Sequence, residues 1–162
     1  MADPVIRRAE RQDADSLLEL ITALAHYEQL DPPNEGARAR LIEDGWGERP
    51  KYEAWLAEVD GHAVGYAILF ETYSTFLARP TLYLEDIFLL PEYRGRGIGD
   101  ALFRRISRLV RERDCGRMEW VCLDWNRAGL RFYEKIGARH MTEWLTFRLL
   151  PEQIATLNET ES

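Results

Sequence analysis

The stretch from Leu84 to Gly99, Leu-Glu-Asp-Ile-Phe-Leu-Leu-Pro-Glu-Tyr-Arg-Gly-Arg-Gly-Ile-Gly, constrains this chain more than any other. It reads as a hydrophobic strand, a proline-led turn, a glycine-rich loop and the start of an amphipathic helix. A glycine loop at a helix start presents backbone N–H groups and the positive end of the helix dipole, which together make an anion site. Arg94 and Arg96 add positive charge beside it. The spacing excludes the common nucleotide loops. Gly95 and Gly97 are followed by Asp100 where a dinucleotide fold places its third glycine, and G-x-x-x-x-G-K-[ST] is absent.

At 162 residues the chain is long enough to bury a core without disulfides or metals, and it reads as one domain over 1–150 with a polar tail over 151–162. Hydrophobic residues make up 46% and charged ones 30%, the balance of a water-soluble protein. No apolar run reaches the ~20 residues that span a bilayer. The start, Met-Ala-Asp-Pro-Val-Ile-Arg-Arg, lacks the apolar segment of a signal peptide, so a cytoplasmic location is expected. Cys115 and Cys122 form no CxxC pair and read as reduced thiols. His26, His62 and His140 show no metal-ligand spacing, so no metal is expected. A net charge of −7 argues against nucleic acid and favours cationic small molecules.

Val5 to Arg7 reads as a first strand. A helix capped by Asp13 or Asp15 follows, with Leu17, Leu20, Ile21 and Leu24 at helical spacing, ending near Glu28. A short helix is expected over Ala37 to Ile42, broken by Gly45 and Gly47. Tyr52–Val59 and Ala63–Tyr73 read as strands joined by an Asp60-Gly61 hairpin turn. After a loop over Ser74–Pro80, Leu82–Leu90 is a near-continuous apolar run and so a central strand, interrupted by Glu85-Asp86. Ile98, Leu102, Ile106, Leu109 and Val110 form one stripe of the helix that follows. Arg117–Leu123 reads as a strand, Asn126–Ile136 as a helix closed by Gly137, and Arg139–Leu149 as a last strand. Propensity alone gives an α+β class.

Arg-Gly-Arg-Gly-Ile-Gly resembles the R-x-x-G-x-G/A signature of the GCN5-related N-acetyltransferases. Asn126, Phe132-Tyr133 and Gly137-Ala138 match the family's second coenzyme motif. The resemblance implies a mixed, mostly antiparallel sheet flanked by helices, and acetyl-CoA as co-substrate. It implies that the backbones of Ile87, Phe88 and Leu89 meet the pantetheine arm. Arg94, Gly95, Arg96, Gly97, Ile98, Gly99 and Asp100, with Asn126, Arg127, Ala128 and Gly129, would contact coenzyme.

Acetylation of an amine needs a neutral nucleophile and a proton for the leaving thiolate. An ammonium of pKa ~10.4 is neutral in about one molecule in a thousand at pH 7, a deficit of roughly 4–5 kcal/mol. Glu85 is the candidate proton acceptor, because a carboxylate inside an otherwise apolar strand needs a reason; the alternative is an ion pair with an arginine. In a regular strand Asp86 points to the opposite face. Tyr133 lies two helical turns from Asn126 on one helix face, and its phenol is a suitable donor to a thiolate; the resemblance gives it the position of the general acid.

Further stretches, Leu-Ala-His-Tyr-Glu, Glu-Asp-Gly-Trp-Gly-Glu and Leu-Tyr-Leu-Glu-Asp-Ile-Phe among them, are similar to the diamine acetyltransferases, the spermidine/spermine and thialysine group. The similarity runs from about Val5 to Leu150. It implies that Tyr27 and Glu28 hold the amine, that Glu119, Trp120 and Val121 line the acceptor site, and that the enzyme is a homodimer. Glu143 aligns with an acidic acceptor-site residue across a shortened segment. Two other readings stay open: an acetyltransferase for a different amine, and a non-catalytic acetyl-CoA sensor.

Overall fold

The computed structural model describes residues 3–159 and divides into two compact units, Met1–Val121 and Cys122–Ser162. The first unit is built on a five-stranded sheet in the order β1-β2-β3-β4-β5: β1 Val5–Arg8, β2 Glu53–Val59, β3 His62–Ser74, β4 Arg79–Leu89 and β5 Arg117–Glu119. Three pairings are antiparallel, and only β4 with β5 is parallel. The Asp60-Gly61 turn forms as expected, with φ of 50° and 77°. Both central residues at positive φ give a turn whose twist matches the flanking strands.

Helix α1, Ala14–Tyr27, places Leu17 and Leu20 on a core with Ala54, Leu56, Tyr66, Ile68 and Phe88. Asp13 stands at the N-cap, but its carboxylate accepts from the Glu10 N–H and from Arg7, which also binds Glu58. Arg7 thereby ties the start of α1 to β1 and β2, and holds the Asp13 carboxyl below its ordinary range. Helix α2 runs over Glu35–Trp46, longer than expected. Asn34 caps it through the Ala37 N–H, and Gly45 is carried inside the helix while Gly47 ends it. Helix α3, Ile98–Glu112, buries Ile98, Leu102, Phe103, Ile106 and Leu109, the stripe expected apart from the half-buried Val110. Arg105 lies over the Trp55 ring of β2 at 4.5 Å, so α3 covers the sheet face opposite the one that takes α1.

The β3–β4 hairpin is longer than expected. Ser74 ends β3 and Arg79 opens β4, so the loop shrinks to residues 75–78. Strand β5 stops at Glu119 rather than Leu123.

The second unit holds α4, Arg127–Lys135, and α5, Pro151–Glu159, where the sequence reads as a helical turn or a loose tail; residues 160–162 lie outside the described residues. The strand expected over Arg139–Leu149 does not form. Leu145, Phe147 and Leu149 alternate as a half-buried strand would, yet a strand is stable only beside a ladder partner, and the segment has none among the described residues. Also among the described residues, no helix is long and apolar enough to cross a membrane.

Candidate active site

The glycine loop follows from the chemistry at the end of β4. Leu90 is extended and Pro91 opens a single 3-10 turn over Pro91–Tyr93, where its missing N–H costs nothing. The chain then turns twice through positive φ, at Gly95 (74°) and Gly97 (79°), which only glycine adopts without strain. Gly97 is the N-cap of α3 and accepts from the Ala101 N–H at 2.9 Å. The N–H groups of Ile98, Gly99 and Asp100, in the first turn, have no intrahelical carbonyl to meet. A methyl group added at Gly95, Gly97 or Gly99 would find no protein atom within 4 Å. These glycines therefore leave the approach to the helix start open.

The charged neighbours of the loop are arranged differently from the sequence expectation. Arg94 turns back, its Nε–H donating to the Leu89 carbonyl at 3.0 Å, with the guanidinium 4.8 Å from the Tyr27 ring centroid and 5.5 Å from that of Phe88. Arg96 lies over Tyr93 at 5.5 Å. The Asp100 carboxylate pairs with Arg104 at 2.6 Å. What this loop itself offers an anion is the first-turn backbone N–H groups and the positive end of the helix dipole.

Three carboxylates meet between the end of α1 and the middle of β4. Ile68 of β3 pairs with Asp86, but Leu69 pairs with Leu84, so Glu85 is the extra residue of a bulge. The strand is not regular here, and the simple alternation of faces fails. The bulge leaves Glu85 exposed and without an ion pair among the described residues, while Asp86 turns inward. Asp86 accepts from the Tyr66 hydroxyl at 3.3 Å, and Tyr66 is itself fully buried. Burial first, then the negative charges of Glu85 and Glu28, push Asp86 up to about 6, against the opposing Tyr66 hydrogen bond. Burial also raises Glu28, the residue after α1. The Tyr66 phenol is held well above its ordinary range by burial and by Asp86, so it stays a donor. Rings connect these groups: Tyr27 lies 6.1 Å from Phe88, and Phe88 6.5 Å from Tyr66.

Of the other residues expected here, Glu119 pairs with Arg117 at 3.0 Å, and Trp120 packs edge-on against Phe103 of α3 at 5.2 Å. Val121 is exposed. Ile87 and Leu89 are half-buried and Phe88 buried on β4, next to Ala67, Gly65 and Tyr66 of β3. Sequence reasoning left out Tyr66 and made Glu85, not Asp86, the catalytic carboxylate. The signal for Asp86 was visible as the second carboxylate in an apolar strand, but which of the pair is buried depends on the bulge.

In the second unit, Asn126 caps α4 by accepting from the Gly129 N–H at 3.1 Å. A side chain at Gly129 would come within 2.8 Å of the Asn126 amide, which explains a glycine in a helix's first turn. Arg127 and Ala128 are exposed beside the cap. Tyr133, half-buried on α4, stands 5.8 Å from Phe132 ring to ring, and its carbonyl accepts from the Ala138 N–H. Gly137 ends the helix at φ 80°. Glu143 is exposed and pairs with Arg139 at 2.8 Å.

Comparison with known proteins decides among the anion-binding folds that such a loop permits. Residues 17–138 match the model of the acetyltransferase (GNAT) family. The chain belongs to the GNAT acetyltransferases. It is 34% identical to a thialysine N-epsilon-acetyltransferase of Sus scrofa over 97% of this chain and 98% of that protein. A spermidine/spermine N(1)-acetyltransferase-like protein 1 of Homo sapiens is 31% identical over 92% of this chain, though over 23% of its own length. Among solved structures, an integron cassette protein of V. cholerae superposes with a TM-score of 0.81 at 19% identity, covering 98% of this chain and 99% of that one. Aminoglycoside N-acetyltransferase AAC(6')-Iy in complex with CoA gives 0.77 at 20% identity, over 92% and 96%. At these identities the structures establish the fold. The expected α+β architecture, with its mixed and mostly antiparallel sheet, is the GNAT fold.

This acetyltransferase is therefore an acetyl-CoA-dependent N-acetyltransferase. The open space above Gly95, Gly97 and Gly99 and the first-turn amides of α3 fit the pyrophosphate of such a coenzyme: an anion can approach the backbone where any side chain would intrude.

Proposed function

We propose that this enzyme acetylates a primary amine of a small molecule with a second positive charge, a diamine or a thialysine-like amino acid, by direct attack in a ternary complex, and that it works as a homodimer. The gathering of Glu28, Glu85 and Asp86 carries this reading. Burial and the charges of Glu85 and Glu28 push the Asp86 carboxyl up, and burial raises Glu28, so the cluster is a poor resting arrangement that a bound dication relieves. The similarity to thialysine and spermidine/spermine enzymes supports the same class of acceptor.

Acetyl-CoA supplies the activated acetyl group as a thioester. Gly95 to Asp100 would hold its pyrophosphate through backbone N–H groups, with Arg96 adding charge, and the Ile87–Leu89 backbone would meet its arm. Asn126 to Gly129 is assigned to coenzyme through the resemblance. Glu85, exposed on its bulge, takes the proton that the ammonium must lose, directly or through a water. Tyr133 gives a proton to the departing sulfur. Tyr27 and Glu28 hold the acceptor, and the resemblance adds Glu119, Trp120, Val121 and Glu143 to its contacts.

The deciding measurement is thiol release from acetyl-CoA with spermidine, putrescine, thialysine and a matched monoamine, repeated with Glu28→Gln. The second charge is expected to raise kcat/KM about ten- to hundredfold, the effect of a charge-assisted contact of about 1.5–3 kcal/mol. A monoamine that performs equally, or a Glu28→Gln ratio equal to wild type, removes the dication reading and leaves a general amine acetyltransferase. Sedimentation velocity decides the dimer.

A further inference from the structure

The glycine loop has little that fixes it from within. Gly95 and Gly97 carry no side chains, and their would-be Cβ positions face open space. Its position therefore depends on the residues at its two ends. On the helix side Ile98 is 2% exposed and anchored in the core. At the other end stands Arg94, whose N–H donates to the Pro91 carbonyl at 3.2 Å and whose Nε–H donates to the Leu89 carbonyl at 3.0 Å. Its guanidinium then reaches out of the loop, over Tyr27 and Phe88. Phe88 belongs to β4 and is 5% exposed; Tyr27 is the last residue of α1. One side chain thus joins the loop, the central strand and the helix whose end was expected to hold the amine.

We propose that Arg94 is a positioning residue that clamps the coenzyme loop to α1 through Tyr27, so that Tyr27 contributes to acetyl-CoA affinity as well as to the acceptor end. The proposal rests on the assignment of Gly95–Asp100 as the acetyl-CoA loop. Only a guanidinium satisfies both contacts: its Nε–H reaches a carbonyl while its flat face lies on a ring, whereas an ammonium is a point charge with neither geometry. The ring face that meets Arg94 is not available to a substrate ammonium, so any amine contact by Tyr27 uses its hydroxyl or its other face. Releasing the clamp leaves a loop that must be ordered when the coenzyme binds, and that ordering appears as lost affinity.

Calorimetric titration with acetyl-CoA tests this. Tyr27→Leu should weaken binding about three- to tenfold, the range a cation–π contact supplies. Tyr27→Phe, which keeps the ring, should stay within about twofold of wild type, and Arg94→Lys should weaken binding in the wild-type background but add nothing to Tyr27→Leu. Where Tyr27→Leu does not fold, pentafluorophenylalanine at position 27 keeps the shape and removes the negative ring face, and the same loss is expected. Wild-type coenzyme affinity in Tyr27→Leu and Arg94→Lys, with only the amine KM changed, overturns the clamp, as do losses that multiply in the double variant. Gly99→Val in the same titration separates the premise: unchanged affinity there overturns the loop assignment, whatever Tyr27 does.

Discussion

Asp86 combines features that stability alone would not select. A carboxyl held at about 6 in the folded protein, against 3.8 for an ordinary one, binds its proton more tightly when folded. The sign follows: between about pH 4 and 6 the folded chain carries more proton than the unfolded, so stability falls as pH rises through that window. Above it the full cost, about 2–3 kcal/mol, is present. Asp86→Asn keeps an acceptor for the Tyr66 hydroxyl and removes the charge. Urea unfolding should show the variant more stable by about 2–3 kcal/mol at pH 7 and level with wild type near pH 4. Its kcat/KM for a dication should fall at the same time, the signature of a residue retained for binding. Tyr133 belongs to the same scale. Tyr133→Phe keeps the ring and its packing near Phe132, so turnover at saturation should drop by about 10²–10⁴ with coenzyme affinity unchanged. Unchanged turnover where chemistry is rate-limiting would withdraw the role of proton donor.

Among the elements, the join between β4 and α3 is the one proposed to hold the coenzyme, and its glycines are not equivalent. Gly97 sits at φ 79°, so any side chain there strains the backbone as well as blocking the approach. Gly99 lies in the first turn of α3 at ordinary helical φ, with open space where its Cβ would stand. Helix propensity favours valine over glycine, so Gly99→Val should leave the fold as stable as wild type or slightly more so, while weakening acetyl-CoA at least tenfold. Thermal unfolding beside calorimetry distinguishes the two. Gly97→Val is expected to lose both coenzyme and stability. The strand side of this join was legible in the apolar run Leu82–Leu90, and the loop in its glycines. The bulge at Glu85 was not, because a one-residue register shift is set by the pairing of β3 with β4 and leaves no mark in either sequence alone.

At the scale of the molecule, charge shapes encounter with substrate. The net charge of −7 gives the whole chain an attractive field for a polycation, screened within roughly 10 Å at 0.1 M salt. Between about 20 and 300 mM NaCl, kcat/KM for spermidine should fall several-fold while that for a neutral-tailed monoamine changes little. Equal salt dependence would mean that the carboxylates act only at contact range.

Local rules settled much of this protein in advance. Apolar spacing specified α1 and α3, Asp60-Gly61 specified the β2–β3 turn, and Gly95, Gly97 and Gly99 specified the tight loop at the start of α3, because each depends on residues adjacent in the chain. Tertiary structure decided what depends on distant partners. The Arg94 side chain meets the Leu89 carbonyl and the Tyr27 ring, and Glu119 pairs with Arg117, contacts that no local rule specifies. Asp86 rather than Glu85 became the half-buried, inward-facing carboxylate, since a bulge between β3 and β4 reversed the alternation of faces. The segment 139–149 kept its strand pattern but formed no strand, for a ladder needs a second chain segment to supply its hydrogen bonds.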